Sequence, residues 1–348
     1  MGVGDLNSSL IFKEIENLTG GTAVDNFGFV GLASFSVING GAGSDRLDYS
    51  SWNNPVFIDL QSRTATGLTA SFTNIESALG SNTNDTLSGG LNGGAGIDVL
   101  AGSALDNLWN VLGVGNGTLN NSQANFPNIE SLRGSTIRDR FVLAPIAQLA
   151  GNIDGGTGNN TLDYSAWLAD ITVNLKTGKA VGIAGLVSNI GAVIGGAGND
   201  TLTGRGTLSS MLVGGGGNDT LTGGTGRDIL IGGDGTDNLN GGAGDDILIG
   251  GKTAHDSNDI ALFALLAEWS SSHNYATRVG NLRGTISVTP ANGPYYLQNQ
   301  PADSLFGDSG AVDTLIGSTG QDWFIADLED ILPDQVLAGA TAEQLDRP

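Results

Sequence analysis

Residues 214–249 are four nine-residue units in phase: GGGGNDTLT, GGTGRDILI, GGDGTDNLN and GGAGDDILI. A glycine pair opens each unit. An aspartate stands sixth (Asp219, Asp228, Asp237, Asp246) and a leucine eighth (Leu221, Leu230, Leu239, Leu248). Self-similarity at so short a fixed period marks a solenoid, because one unit is too small to hold a core and stacked units share one. Positions one to six read as a turn, in which glycine supplies the left-handed backbone and leaves the carbonyls accessible. Positions seven to nine read as a very short strand with only the leucine pointing inward. Such a strand needs a parallel neighbour on each side, about 4.8 Å away. Two units then make one coil of a flattened parallel β-roll, and residue i lies under residue i+18.

In that register Asp219 lies below Asp237, and Asp228 lies below Asp246 on the opposite edge. Carboxylates stacked at one strand spacing repel unless a cation sits between them. Calcium suits the gap: it is a hard ion that takes 6–8 oxygens at roughly 2.3–2.6 Å from flexible, carbonyl-rich loops, whereas magnesium demands tight octahedral geometry. The candidate calcium-binding residues are therefore the four aspartates and their turn glycines, Gly214, Gly215 and Gly217; Gly223, Gly224 and Gly226; Gly232, Gly233 and Gly235; Gly241, Gly242 and Gly244. A structural reading stands beside this one, in which the aspartates cap the strands through Asx-type hydrogen bonds.

Further copies lie outside the array. GGAGNDTLT (195–203) is intact and adds Asp200. GGAGSDRLD (40–48), GGAGIDVLA (93–101) and GSTGQDWFI (317–325) add Asp45, Asp98 and Asp322. GSNTNDTLS (80–88) keeps Asp85 with few glycines, and Asp313 lies in a degenerate unit. Asn160 and Ser210 occupy aspartate positions without charge, so sites that depend on them should be weak or empty. A longer period overlies the short one. DYSSWNNPVFIDLQSRTATG (48–67) matches DYSAWLADITVNLKTGKAVG (163–182), which pairs Trp52 with Trp167, and the Phe12–Leu18 segment matches 126–132. The expected organisation is a β-solenoid module at 1–115, a second at 116–194, the calcium-binding roll at 195–251, and a helical cap with a terminal coil and tail at 252–348.

Composition narrows the function. The net charge of −22 disfavours nucleic acid and anionic lipid as partners and favours cations. Gly-rich acidic chains can stay disordered, but here the apolar residues are periodic. There is no cysteine, hence no disulfide or thiolate metal site. No apolar run reaches the roughly 20 residues of a membrane span. The first residues lack a basic segment followed by an apolar stretch, and the chain begins as if inside a repeat. Leu262, Leu265, Leu266 and Trp269 recur at helical spacing with Asp256 or Ser257 as N-cap, and Ala276, Val279 and Leu282 predict a second short helix before Gly284. This apolar stripe is expected to cap the roll or pack on its side near Leu239 and Leu248, with 308–325 adding a last coil. The alternative is that it docks a separate domain or a second copy of the chain.

The four in-phase copies resemble the repeats-in-toxin, hemolysin-type calcium-binding family of secreted bacterial proteins. The resemblance implies an all-β, right-handed parallel β-roll or β-solenoid, calcium on both edges, and export to a calcium-rich medium. It does not imply an enzyme here. HExxH and GxSxG motifs are absent. Glu16, Glu76 and Glu130 recur with the Asn-Ile-Glu repeat and read as structural or solvated. Glu268 reads as a solvated helix face, and His273 as the exposed face of a helix end. The expected function is a non-catalytic, calcium-binding structural region of a secreted or cell-surface protein. Its partners would be calcium ions and other domains of a longer chain or surface glycans, without membrane insertion. The alternative is a carbohydrate-binding or carbohydrate-acting module, with Trp52 and Trp167 as stacking residues if they are not packed in corners.

Overall fold

The computed structural model describes residues 17–30, 35–60, 62–81, 83, 85–88, 91–94, 96–102, 105–120, 124–298, 305–308, 310–335 and 343–348. The Phe12–Leu18 repeat and Glu16 lie largely outside them. The described structure forms two units, residues 1–101 with 124–129, and residues 102–123 with 130–348.

In the second unit the nine-residue period becomes two parallel sheets. One runs neighbour to neighbour through Asn107–Gly113, Asp139–Leu143, Thr161–Asp163, Ala192–Ile194, Met211–Gly216, Ile229–Asp234, Ile247–Ile249, Trp323–Ile325 and Gln344–Asp346. The other runs through Thr172–Asn174, Thr201–Gly206, Thr220–Gly224, Asn238–Ala243 and Thr314–Thr319. Successive units alternate between the sheets, so the expected i, i+18 register holds: Leu221 pairs with Leu239 and Leu230 with Leu248. The segment GRGTLSSMLV (204–213) is one residue longer than a unit, and the extra residue is absorbed one coil earlier, where Leu202 pairs with Leu221. All of these leucines are fully buried between the sheets. The last coil also forms as expected, with Leu239 against Leu315 and Leu248 against Phe324. One strand was not anticipated: Gln344–Asp346 extends the first sheet beyond Trp323–Ile325.

The longer period is equally real in three dimensions. In the first unit Tyr49 donates its hydroxyl to the Thr66 carbonyl and Trp52 N–H bonds the Tyr49 carbonyl; in the second, Tyr164 and Val181, and Trp167 and Tyr164, repeat both bonds. Ile58 and Val173, at matching positions of the two alternating strands, are both fully buried. Trp52 and Trp167 pack edge-on against Tyr49 and Tyr164 and are 5% and 9% exposed, so both are corner-packing residues.

Two helices follow the array, α1 (Asp259–Trp269) and α2 (Tyr275–Leu282). The N-cap of α1 is Asn258, not Asp256 or Ser257: its side chain accepts the Ala261 N–H, while Asp256 is engaged one turn earlier by Thr253. The apolar stripe is buried, but its contact surface differs from the one expected. Leu239 and Leu248 point into the roll. The helices instead lie on the outer face of the first sheet, on Met211, Val213, Ile229, Ile231, Ile247, Ile249 and Trp323. The second sheet has Thr201, Thr220 and Asn238 at its outward positions and stays exposed there. Polar pins fix the docking. Trp269 Nε1 donates to the Asp245 carbonyl (2.6 Å), Tyr275 hydroxyl to the Asp322 carbonyl (2.7 Å), and the buried Arg278 bonds Asp245 while stacking on Trp269.

Two further readings are corrected. Glu268 is fully buried rather than solvated; it accepts from Asn281 Nδ2 (2.8 Å) and Ala291 N (2.7 Å) and pairs with His273. His273 is part-buried in the turn before α2, held by Glu268 and Thr289, not exposed on a helix face. The side-packed helices make a prediction. Leu265→Asp with Trp269→Asp should lower the stability of the calcium-loaded chain by about 4 kcal/mol or more, the scale of burying two polar groups where large apolar ones were. It should also bare the isoleucine face and cause self-association, read together as a fall in melting temperature and a mass increase in light scattering.

Candidate metal centre: the aspartate ladders

Each repeat aspartate is buried at the turn that enters a strand, and its carboxylate folds back over the turn's own first glycine. Asp219 Oδ2 lies where a side chain on Gly214 would be; Asp228 and Gly223, Asp237 and Gly232, and Asp246 and Gly241 repeat the arrangement. The second glycine has a different duty. Gly215, Gly233 and Gly242 have φ near +100°, where L side chains are strained, and each lies against a carbonyl of the coil before it. Gly224 and Gly226 do not take positive φ, so that turn needs glycine only for the close stacking on Gly206 and Leu208.

The other oxygen builds a ladder. Asp200 N donates to Asp219 Oδ1, Asp219 N to Asp237 Oδ1, Asp237 N to Asp313 Oδ1 and Asp313 N to Asp330 Oδ1, at 2.7–3.0 Å. On the opposite edge Ser210 N donates to Asp228 Oδ1, Asp228 N to Asp246 Oδ1 and Asp246 N to Asp322 Oδ1, at 2.6–2.8 Å. The hydrogen-bonding role and the ligand role thus divide between the two oxygens of one carboxylate. Oδ1 is a strand-capping acceptor. Oδ2 of Asp45, Asp219, Asp228, Asp237, Asp246, Asp313 and Asp322 is buried with no hydrogen-bond partner.

A buried anionic oxygen without a donor is costly, and burial shows in the proton affinity. From an ordinary 3.8, desolvation pushes Asp237 and Asp246 up to about 8 and Asp219, Asp313 and Asp322 to about 7, with the charges of neighbouring carboxylates adding to it. Asp228 rises only to about 6, because the Ser210 N–H and the Arg205 guanidinium offset part of its desolvation. Among the described residues no group of three or more Asp, Glu or His side chains is gathered to hold a metal ion. A calcium ion here would therefore draw on the Oδ2 atoms together with glycine-turn carbonyls, a donor set of hard oxygens that fits calcium.

The remaining candidates separate by the same criterion. Asp200 has both oxygens occupied, by Gly196 N (2.8 Å) and Ile171 N (2.9 Å). Asp85 is held by Ser81 and Val56 N, and Asp98 accepts from Asp85 N at 2.7 Å. At Asn160 the amide Nδ2 replaces Oδ2 and donates to the Asn189 carbonyl (3.0 Å); Ser210 Oγ accepts Arg205 N (2.9 Å). Both uncharged substitutes are thus satisfied within the protein. Three ladder members were missed in the sequence: Asp330, which ends the first ladder, and two more. Asp25 donates its N–H to Asp45 Oδ1 (2.8 Å), and Asp139 donates to Asn160 Oδ1 (3.0 Å). The available signal was a glycine five residues before the acid, Gly20 and Gly134, the spacing of every intact unit. Glu76 also takes part: its Oε2 accepts Asp45 N at 2.8 Å.

Stacked glycine turns, paired ladders of buried aspartates and a parallel two-sheet core define a calcium-binding β-roll. The family model of the RTX calcium-binding nonapeptide repeat matches the chain in four copies, over residues 29–51, 192–206 and 213–251. These segments are RTX repeats, and repeats of this family bind Ca2+. No curated protein matches the chain.

Two predictions follow from the divided carboxylate. Asp237→Asn keeps an Oδ1 acceptor for Asp219 N–H, as Asn160 does naturally, but removes the anionic oxygen. It should lower the number of calcium ions bound in equilibrium dialysis while leaving the calcium-free chain no less stable. Asp237→Ala should lower both, losing about 1–3 kcal/mol for the stranded N–H. The second concerns pH. Carboxyls with folded values of about 7–8 against 3.8 when unfolded favour the folded state fully below about pH 4, and that contribution is lost as pH rises through 7–8. Urea denaturation of the calcium-free chain should show lower stability at pH 8 than at pH 5, and saturating calcium should remove the difference.

Proposed function

We propose that this chain is a non-catalytic, calcium-rigidified region of a secreted or cell-surface bacterial protein, loose where calcium is scarce and folded once outside the cell. The observation that carries the reading is the row of buried, donorless Oδ2 atoms in Asp219, Asp228, Asp237, Asp246, Asp313 and Asp322. Without a cation these stacked charges oppose the coil stacking on which the leucine core depends. Extracellular calcium modules have dissociation constants of about 10⁻⁴–10⁻³ M, so millimolar calcium fills such sites and cytosolic calcium does not. RTX repeats occur in secreted bacterial proteins, and no helix among the described residues is long and apolar enough to cross a membrane. The carbohydrate-module reading leaned on Trp52 and Trp167, whose rings are packed in turn corners.

Circular dichroism of the full chain tests this. In chelator the β signal should fall, and it should return with millimolar calcium. An identical spectrum in both conditions overturns the reading. Limited proteolysis in chelator should cut within 214–250 before 130–194. There Asp139 and Asn160 are satisfied by hydrogen bonds inside the protein.

A further inference from the structure

The edge that carries Asp228, Asp246 and Asp322 ends below at the 204–210 turn, where the motif changes at two positions together. Ser210 stands for the aspartate, and Arg205 stands where Gly224 and Gly242 stand in the two turns above. The turn keeps its place in the stack. Gly204 lies against the Gly223 carbonyl, Thr225 N donates to the Gly206 carbonyl (2.5 Å), and Ser210 N donates to Asp228 Oδ1 (2.6 Å). Ser210 Oγ fills the space over Gly204 that a carboxylate oxygen fills in an intact turn, but it is neutral and accepts Arg205 N. The Arg205 guanidinium stays within the turn. It bonds the Ser209 carbonyl, and its Nε is buried with no hydrogen-bond partner. Its Cζ lies 3.8 Å from where a Cβ on Gly191 would be, beside the Phe263 ring of α1. Arg205 has no positive φ, so the position accepts a side chain without backbone strain. Its charge acts across the rung: burial lowers the proton affinity of the guanidinium, and the charge of Asp228 opposes that shift. Desolvation raises both Asp228 and Asp246, yet Asp228, with the Ser210 N–H and Arg205 near it, reaches only about 6 against about 8.

We propose that Arg205 is a built-in counter-cation that ends the calcium ladder on this edge: it supplies to the Ser210–Asp228 rung the positive charge that an ion supplies to the rungs above, and that rung takes no calcium. The inference rests on the calcium reading above and concerns where ion binding stops. Three changes act in one direction. Ser210 removes an anionic ligand and leaves Asp228 without a stacked carboxylate beneath it, and calcium affinity falls with the number of charged ligands. The guanidinium repels a divalent ion from the same space. The Ser209 carbonyl is already bonded, so one turn oxygen fewer is open to an ion. Arginine suits the task because it stays charged and is more weakly hydrated than an ammonium, which eases its burial beside Phe263. The opposite edge stops at the same coil by another route: Asp200 has its oxygens occupied by Gly196 N and Ile171 N. Residues 195–213 thus form the boundary between coils closed by the protein's own groups and coils closed by calcium.

The test compares the full-length wild type with Arg205→Gln, Arg205→Lys, Ser210→Asp and Arg205→Gly/Ser210→Asp. Equilibrium dialysis counts the calcium ions bound at saturation, and circular dichroism gives the calcium concentration at half-folding. Arg205→Gln should need several-fold more calcium to fold, Arg205→Lys should recover most of that loss, and neither should change the ion count. Ser210→Asp alone should bind no extra ion, because Arg205 neutralises the new carboxylate. Arg205→Gly/Ser210→Asp, which restores the repeat, should bind one ion more than the wild type. A wild-type midpoint for Arg205→Gln refutes the role of Arg205, as does an extra ion in Ser210→Asp alone. An unchanged count in the double variant, with Asp237→Asn still lowering its own, refutes it too and leaves the calcium reading standing. If the double variant does not fold in calcium, the glutamine and lysine variants decide. A wild type that binds no calcium overturns the calcium reading and this inference with it.

Discussion

The structure depends on the folding of one carboxylate back over its own turn. The sixth residue of each unit places Oδ2 above the first glycine and Oδ1 under the N–H of the aspartate one coil before it. This single arrangement fixes three things together. It explains why the first glycine tolerates no side chain, it sets the spacing of the coils along each edge, and at Asp219, Asp228, Asp237, Asp246, Asp313 and Asp322 it leaves one anionic oxygen facing no donor. The leucine core supplies the apolar drive for stacking, but it is indifferent to which turn lies over which. The Oδ1 ladder makes the register specific.

Much of this was legible from residues alone. The period of nine, the inward leucines and the i, i+18 register follow from strand geometry, and the structure has them at Leu221 and Leu239 and at Leu230 and Leu248. The division of labour between Oδ1 and Oδ2 was not legible, because sequence treats a carboxylate as one group. Asp25 and Asp139 were missed for a related reason. The Asp139 unit has lost the glycines at the second and fourth positions of the motif and the Asp25 unit the one at the fourth, while both keep the one that makes room for the acid. Asn74, Asn128 and Asn189 form another hidden constant. All three have φ of 52–55° and place their carbonyls on the first glycine of a neighbouring turn, so the recurrent Asn-Ile pair records a left-handed corner as much as an inward isoleucine.

The helices illustrate a signal that was present and read too coarsely. Alternate units of the array differ at the two positions flanking the leucine: threonine or asparagine in 220–222 and 238–240, isoleucine in 229–231 and 247–249. In a two-unit coil that alternation paints one sheet polar and the other apolar, and an apolar outer face requires a cover. The stripe of α1 is that cover. Glu268 and His273 were misjudged because helical position alone does not tell which face a second helix and its following loop will enclose. Asn281 reaches Glu268 from the second helix, and Ala291 reaches it from the segment that follows that helix.

The register at the end of the array has a kinetic meaning. Rungs within it join residues 18 apart in sequence, whereas Asp237 meets Asp313, and Asp246 meets Asp322, across 76. Closing the longer loop from an unstructured chain costs about 1 kcal/mol more in entropy, and the difference shrinks once the intervening segment has collapsed onto itself. On loop-closure grounds alone the terminal coil is expected to join last, since α1 and α2 on the isoleucine face bring Leu305 alongside Thr253. In a chain that grows coil by coil, the helical excursion separates the stacking of neighbouring units, up to Ile249, from completion of the roll.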